Sequence, residues 1–316
     1  MKPICLNLSA CNGLGDLICA TPTIKKLSEA YEKKITILSP FPELFKMNPY
    51  VEGSYKTSSV DIEYFNEHYL MHDSFYNVGK KNDRGIEYKH NRIDIRQFHA
   101  IHLGFMLAKD EMECFYRPTE TFDNNKLPKE PYVVIHPVST WPTRTWSSEN
   151  WMNITARLNE MGIPVVSIGK DSSERGFFNV EKPVFNFDIP LGVNLMNQTS
   201  ISDCWHIING AKAFITMDSG LLHLAGTTDT FIIHLGSSLI PEFRIPYRNG
   251  SQHYKYDYVR GGCDLQCGAN MKYGVKEWGN IQGVPPLITC LEKKKTYECH
   301  PSVEQIIESI QSIKNA

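Results

Sequence analysis

The decapeptide Thr216-Met217-Asp218-Ser219-Gly220-Leu221-Leu222-His223-Leu224-Ala225 constrains this chain more than any other stretch. The apolar run Ala213-Phe214-Ile215 leads into it and reads as a buried strand. Leu221, Leu222, Leu224 and Ala225 leave it at the spacing of a short helix. The junction is therefore strand, Asp-Ser-Gly turn, helix. Such a turn aims free backbone N–H groups and the positive end of a helix dipole at one point, which suits a phosphate. Gly220 lets the backbone come close to that anion, and His223 sits one turn further on with another N–H to donate. A plain helix cap would also use Asp218 or Ser219, so the rest of the chain has to decide between the two readings.

At the amino end, Ile4-Cys5-Leu6-Asn7-Leu8 reads as a strand, followed by the loop Ser9 to Asp16 with Asn12, Gly13 and Gly15. Leu17, Ala20, Ile24 and Leu27 then fall at helical spacing, with Pro22 as an interior irregularity, and Ile35-Thr36-Ile37-Leu38 is the next strand. Strand, glycine loop, helix and strand make a βαβ unit of a parallel sheet. The loop is Gly-x-Gly-Asp, so the dinucleotide fingerprint is absent. Asp16 stands at the carboxyl edge of that sheet, where open α/β sheets bind ligands; a helix cap is its other reading. A second βαβ series starts at Tyr132-Val133-Val134-Ile135-His136. It continues through a loop with Ser139, Thr140, Arg144 and Trp146. Ser147 or Ser148 then caps a helix that carries Trp151, Ile154, Leu158 and Met161 on one face. A strand over 163–169 puts Lys170 and Asp171 at its carboxyl end. A helix marked by Ile201, Trp205 and Ile208 precedes the opening strand and turn, and 230–236 is a further strand. Ser302 and Gln305 are spaced as a capping box for a last helix with Val303, Ile306, Ile307, Ile310 and Ile313 on one face.

These patterns predict an α/β chain of two Rossmann-like domains facing across a cleft. The first covers 1–128 and is the acceptor side. The second covers 129–300, binds the nucleotide and includes a cysteine-rich loop over 263–299. A helix over 301–316 packs back toward the first domain. The polar stretch 124–131 is the linker. Residues 50–128 are the least legible: Gln97 to Leu107 looks helical. Lys80, Lys81, Arg84, Lys89, Arg92 and Arg96, mixed with Asp83, Glu87 and Asp94, read as a solvated surface or as a basic loop facing the acceptor. The net charge of -2 over 316 residues gives no reason to expect nucleic acid. No apolar run is long enough to span a bilayer, and the broken amino terminus is unlike a secretory signal, so a cytoplasmic protein is expected, with peripheral membrane contact left open. Nine cysteines, an odd count spread unevenly, argue against a disulfide scaffold. Cys5, Cys11, Cys19, Cys114 and Cys204 read as packing residues. Cys263, Cys267, Cys290 and Cys299 cluster, which suggests a tetrahedral metal site; buried thiols or one disulfide are the alternatives.

Taken together and in order, these segments resemble the heptosyltransferase family, enzymes of lipopolysaccharide assembly that use ADP-heptose. The resemblance is carried by Asn12 to Pro22, by His136-Pro137 with Arg144, Trp146 and Trp151, and by Asp218 to Ala225. It implies the two-Rossmann B-type glycosyltransferase fold and inversion at the anomeric carbon. It implies that Asp16 is the general base and that Asn12, Gly13 and Gly15 form the acceptor-side loop. Ser219, Gly220 and His223 would hold the donor diphosphate, with Ser139, Thr140 and Arg144 from the entry segment. Asp171 and Asp218 would face the nucleoside. Several family members carry a similar cysteine quartet before the last helix, and related autotransporter heptosyltransferases bind iron there, so the resemblance implies a structural zinc or iron and no catalytic metal. The expected function is an inverting glycosyltransferase with a nucleotide-diphosphate-sugar donor, ADP-heptose favoured, and a glycan or protein hydroxyl as acceptor. A nucleotide-sugar epimerase and a non-catalytic nucleotide- or glycan-binding module are the rivals. An epimerase needs further acid/base carboxylates that the sequence does not offer.

Overall fold

The computed structural model describes residues 4–9, 11, 13–59, 67–70, 93–138, 144–170, 189–237, 239–263 and 297–314. The chain divides into two compact units, Met1–Glu120 with Glu242–Tyr254, and Thr121–Pro241 with Lys255–Ala316. The sequence reading kept 242–254 in the second domain; the structure gives it to the first unit.

The first unit runs β1 (Ile4–Asn7), α1 (Leu14–Cys19), α2 (Thr21–Tyr31), β2 (Ile35–Leu38), β3 (Val51–Tyr55), β4 (Glu67–Leu70) and α3 (Ile95–His102). Its strands pair in the order β3-β2-β1-β4, all parallel. Pro22 does not sit inside one long helix. It stands in the first turn of α2, where its missing N–H costs no helical bond. α3 is shorter than the sequence pattern predicts. Gly104, at φ 80°, lets the chain turn back, and the N–H groups of Leu103, Gly104 and Phe105 cap the carbonyls of Ala100 and Ile101. Arg96, read among the surface charges, is fully buried and ion-paired to Asp94, which also caps α3. The other basic residues of that stretch, 80–92, lie outside the described residues.

The second unit runs β5 (Val133–His136), α4 (Ser148–Glu160), β6 (Val165–Ser167), β7 (Gly192–Asn194), α5 (Ile201–Asn209), β8 (Ala213–Thr216), α6 (Gly220–Ala225), β9 (Phe231–Leu235), β10 (Tyr256–Val259) and α7 (Val303–Lys314). Six parallel strands pair in the order β10-β9-β8-β5-β6-β7. The central strands β5, β6, β8 and β9 are short, nearly continuous apolar runs, as a sheet covered on both faces requires. One face contributes Val133, Ile135, Val165, Ala213, Ile215, Ile233, Leu235 and Val259 to a core shared with α4 and α7. Within it Trp146 and Trp151 meet edge-on at 5.1 Å, and Trp146 Nε1 donates to Pro301 O at 2.9 Å. Ser302 and Gln305 make the expected capping box, Gln305 N–H donating to Ser302 Oγ and Ser302 N–H to Gln305 Oε1.

Val303, Ile306, Ile307 and Ile310 of α7 are buried in the core of the second unit, so this helix closes one face of its own sheet. Each such side chain contributes about 1.5–3 kcal/mol by leaving water. No helix among the described residues is long and apolar enough to cross a membrane.

Candidate active site

In an open parallel sheet, ligands bind outside the carboxyl ends of the strands, where the strand order reverses. In the second sheet that point lies between β5 and β8, which pair directly although α4, β6, β7 and α5 intervene in sequence. His136 ends β5, Thr216 ends β8, and the two are in register. The Asp-Ser-Gly turn begins at this edge. Ser219 adopts extended backbone and is the N-cap of α6, its Oγ accepting from Leu222 N–H at 3.3 Å. Its hydroxyl also lies 3.2 Å from His136 Nδ1 and 3.3 Å from Thr216 Oγ1, and His136 Nδ1 lies 3.1 Å from Thr216 Oγ1. The cap and the site are thus one structure: the hydroxyls and imidazole that start α6 also fix where its first N–H groups point.

Asp218 is buried at this turn, with its side chain 5% exposed. Arg144 Nη1 donates to Asp218 Oδ2 at 2.8 Å, and His223 Nε2 stands 4.0 Å from Asp218 Oδ1. One carboxylate therefore gathers a guanidinium from the β5–α4 loop and an imidazole from α6. Asp218, expected to face the nucleoside, is paired here with Arg144. The cluster presents cationic and N–H donors at a sheet edge, an arrangement that stabilises phosphate charge.

Two histidines at this edge were given no role in the site by the sequence reading. His136 is held neutral, its pKa pushed down to about 4 by burial. His234, on β9, is in register with Thr216. Burial pushes its pKa down to about 4 as well, against the opposing pull of the Asp218 carboxylate. Its Nδ1 lies 2.5 Å from Tyr256 Oη. A signal existed: each histidine falls at the carboxyl end of an apolar strand. Only the register shows that they form one row with Thr216.

In the first unit, the site residues gather at the start of α1. Gly13 is its N-cap and makes no side-chain cap, so Asp16 is a first-turn residue and not the cap. Asp16 is half-buried and its carboxylate folds back over Gly13. A methyl group on Gly13 would lie 2.4 Å from Asp16 Oδ2, so a larger residue here would push that carboxylate aside. Gly15 lies within α1. Beneath it, His99 of α3 is fully buried, and burial pushes its pKa down to about 3. His99 is therefore neutral and brings no cation to the Asp16 carboxylate.

Of the remaining candidates, Asn12, Ser139, Thr140 and Asp171 lie outside the described residues, as do Cys267 and Cys290. The backbones of the segments carrying Cys263 and Cys299 are joined by two hydrogen bonds: Gly261 N–H donates to Cys299 O at 3.0 Å and Cys263 N–H to Glu298 O at 3.2 Å. Among the described residues no group of three or more metal-ligating side chains is assembled.

The pattern of glycosyltransferase family 9 (heptosyltransferase) matches residues 98–259. This chain belongs to that family. It is 24% identical to lipopolysaccharide heptosyltransferase 1 of Pseudomonas aeruginosa over 136 residues, 43% of this chain and 37% of that relative's length. Among solved structures, it is similar to the iron-containing dodecameric glycosyltransferase TibC of enterotoxigenic E. coli, with a TM-score of 0.71 and 16% identity, over 99% of this chain and 76% of that one. TibC has also been solved in complex with ADP-D-beta-D-heptose. It is similar to the ADP-heptose lipopolysaccharide heptosyltransferase II of E. coli, with a TM-score of 0.65 and 15% identity, over 100% of both chains. These neighbours have the B-type glycosyltransferase fold, and the two Rossmann-like units of this family 9 chain are built to the same plan.

Proposed function

We propose that this family 9 protein is an inverting glycosyltransferase that moves heptose from ADP-heptose to a hydroxyl of a glycan or protein. The observation that carries the reading is the Arg144–Asp218–His223 cluster at the strand-order reversal of the second sheet. Family membership and the ADP-heptose complex of TibC favour the donor.

In this reading the second unit holds the donor diphosphate. Arg144 and His223 donate to its oxygens, joined by the first N–H groups of α6 at Gly220 and by Ser139 and Thr140 of the entry loop. Asp218 acts behind them: its carboxylate fixes the guanidinium and faces the His223 imidazole. Asp171 serves the nucleoside. The first unit supplies the base. An acceptor hydroxyl is a weak nucleophile, so Asp16 takes its proton as the new bond forms at the anomeric carbon. The acceptor-side loop of Asn12, Gly13 and Gly15 lets the acceptor approach that carboxylate. The transition state has oxocarbenium character and the departing diphosphate gains charge. Fixed cations and N–H donors stabilise that charge without a divalent ion.

The cysteine quartet is assigned a structural role. The segments carrying Cys263 and Cys299 are joined by backbone hydrogen bonds, and thiolates suit zinc or iron. Cys263, Cys267, Cys290 and Cys299 would then hold one ion and tie the loop after β10 to the segment that opens α7.

Purified protein incubated with ADP-heptose and candidate acceptors tests the reading. ADP release that depends on acceptor, with the product anomer inverted by NMR, is the expected result. A protein that neither binds ADP-heptose nor releases ADP refutes it. Donor turnover without transfer, giving an isomeric nucleotide sugar, would show an epimerase instead.

A further inference from the structure

The first unit holds a pair of thiols that sugar transfer does not use. Cys19 ends α1 and is fully buried. Cys114 lies on the segment after α3 and is half-buried, with exposed Glu113 beside it. Phe115 N–H donates to Thr21 Oγ1 at 2.9 Å, and Thr21 Oγ1 donates to Ile18 O at 2.7 Å, so this segment is laid onto the junction of α1 and α2. There Cys19 and Cys114 come close enough for each thiol to perturb the other's ionisation.

Beside the two sulfurs stands Arg96. It is fully buried. Its Nε and Nη2 donate to Asp94, while Nη1 has no hydrogen-bond partner among the described residues. The guanidinium charge acts on both thiols. Burial pushes the Cys19 thiol well above its usual range, whereas the Cys114 thiol is lowered, first by its neighbour Cys19 and then by the Arg96 charge, against the opposing effects of its burial and of the Asp94 carboxylate. A pair of thiols kept only for packing needs no buried cation. A partly exposed thiol beside a buried cation, with a second thiol close by, is the setting of a reactive cysteine.

We propose that Cys114 and Cys19 form a peroxide-sensitive modification site, in which Cys114, the partly exposed thiol, attacks and Cys19, the buried one, resolves. The Cys114 sulfur attacks one peroxide oxygen, the O–O bond breaks, the thiol proton joins the departing hydroxide as water, and a sulfenic acid remains. Cys19 then attacks the sulfenic sulfur. Its proton goes to the departing hydroxyl, the S–O bond breaks, and a second water leaves. Two thiols and one hydrogen peroxide give one disulfide and two waters. The bond would tie the end of α1 to the 112–116 segment, three residues from Asp16. Its effect on transfer rests on the reading of Asp16 as the base; the chemistry of the pair does not.

The test is peptide mapping of the full chain after treatment with hydrogen peroxide, alkylation, and digestion with and without dithiothreitol. The expected product is a joined peptide containing Cys19 and Cys114, lighter by two hydrogens and cleaved by reductant. In Cys19→Ser, Cys114 should stop at a sulfenic acid that dimedone traps; in Cys114→Ser, Cys19 should stay reduced at the same dose. If Cys114 of the wild type stays reduced while the other thiols are consumed, or is oxidised without joining Cys19, the proposal is overturned. The wild-type map needs neither a variant that folds nor an assay of transfer, so its failure is distinct from failure of the glycosyltransferase reading. Transfer measured in parallel should fall with disulfide formation and recover on reduction.

Discussion

Replacing Arg144 with alanine tests two roles of one ion pair. Asp218 is 5% exposed at the side chain and accepts from Arg144 at 2.8 Å. Without the guanidinium the carboxylate is left buried with the imidazole of His223 at 4.0 Å. Breaking a buried pair from one side costs about 3–5 kcal/mol, and the lower end applies because the Arg144 side chain is 15% exposed and water enters where it leaves. A loss of about 3 kcal/mol lowers the melting temperature by about 6–12 °C in a domain of this size. The double variant Arg144→Ala/Asp218→Asn removes the stranded charge and should recover most of that loss. ADP binding should not recover, because the cation that meets the diphosphate is still missing; a charge-assisted hydrogen bond contributes about 1.5–3 kcal/mol, or roughly 10- to 100-fold in Kd. Calorimetric melting and ADP titration of wild type, both single variants and the double variant close the cycle. Additive losses of stability would show that the pair is not coupled. An unchanged ADP affinity in Arg144→Ala would place the diphosphate elsewhere.

Asp16→Asn keeps the size and the packing over Gly13, so it should bind ADP-heptose as the wild type does and transfer at least about 100-fold more slowly, the range for a lost general base; equal single-turnover rates would remove Asp16 from the mechanism. Stability should fall in mild acid. His99, His136 and His234 have folded-state pKa values near 3, 4 and 4, below the ordinary 6.5, because burial disfavours the charged ring. Below pH 6.5 the unfolded chain binds protons that the native state refuses. Each of the three can therefore withdraw up to about 1.4 kcal/mol per pH unit as pH falls from about 6.5 toward 4. Urea midpoints measured across that range check this, and a flat profile would mean that these rings are not held neutral. Cys263→Ser and Cys299→Ser should each lower zinc or iron content and thermal stability together, because the binding energy of a structural ion is also folding energy; metal-free wild-type protein by elemental analysis would refute the site. Transfer by the wild type should persist in excess chelator over the time of an assay, and immediate loss with rescue by Mg²⁺ would contradict a metal-independent diphosphate site.

Local pattern was enough to place the strands that begin each βαβ series, the Asp-Ser-Gly turn, the Ser302 capping box and the apolar face of α7. Each is set by residues within a few positions of one another: an apolar run, a cap and its partner three residues on, or a 3.6-residue period. The same reading singled out Asp16, Arg144, Asp218 and His223, because their residue types in that order resemble a known family. It missed β3, β4, β7 and β10, which are three to five residues long and carry little apolar periodicity; such segments become strands because a neighbouring edge offers unpaired N–H and C=O groups. Tertiary structure also decided where faces and charges go. The face of α7 was legible, but whether it covered the first or second sheet depended on Trp146, Trp151 and the β-strands it met. Arg96 looked like one more surface cation until Asp94 and the thiols of Cys19 and Cys114 surrounded it. His136, Thr216 and His234 are far apart in sequence and became one polar row through strand register alone. Sequence neighbours fix conformation, because backbone torsions and caps are local; partners across a sheet are fixed by the order in which strands pair, and that order is a property of the whole fold.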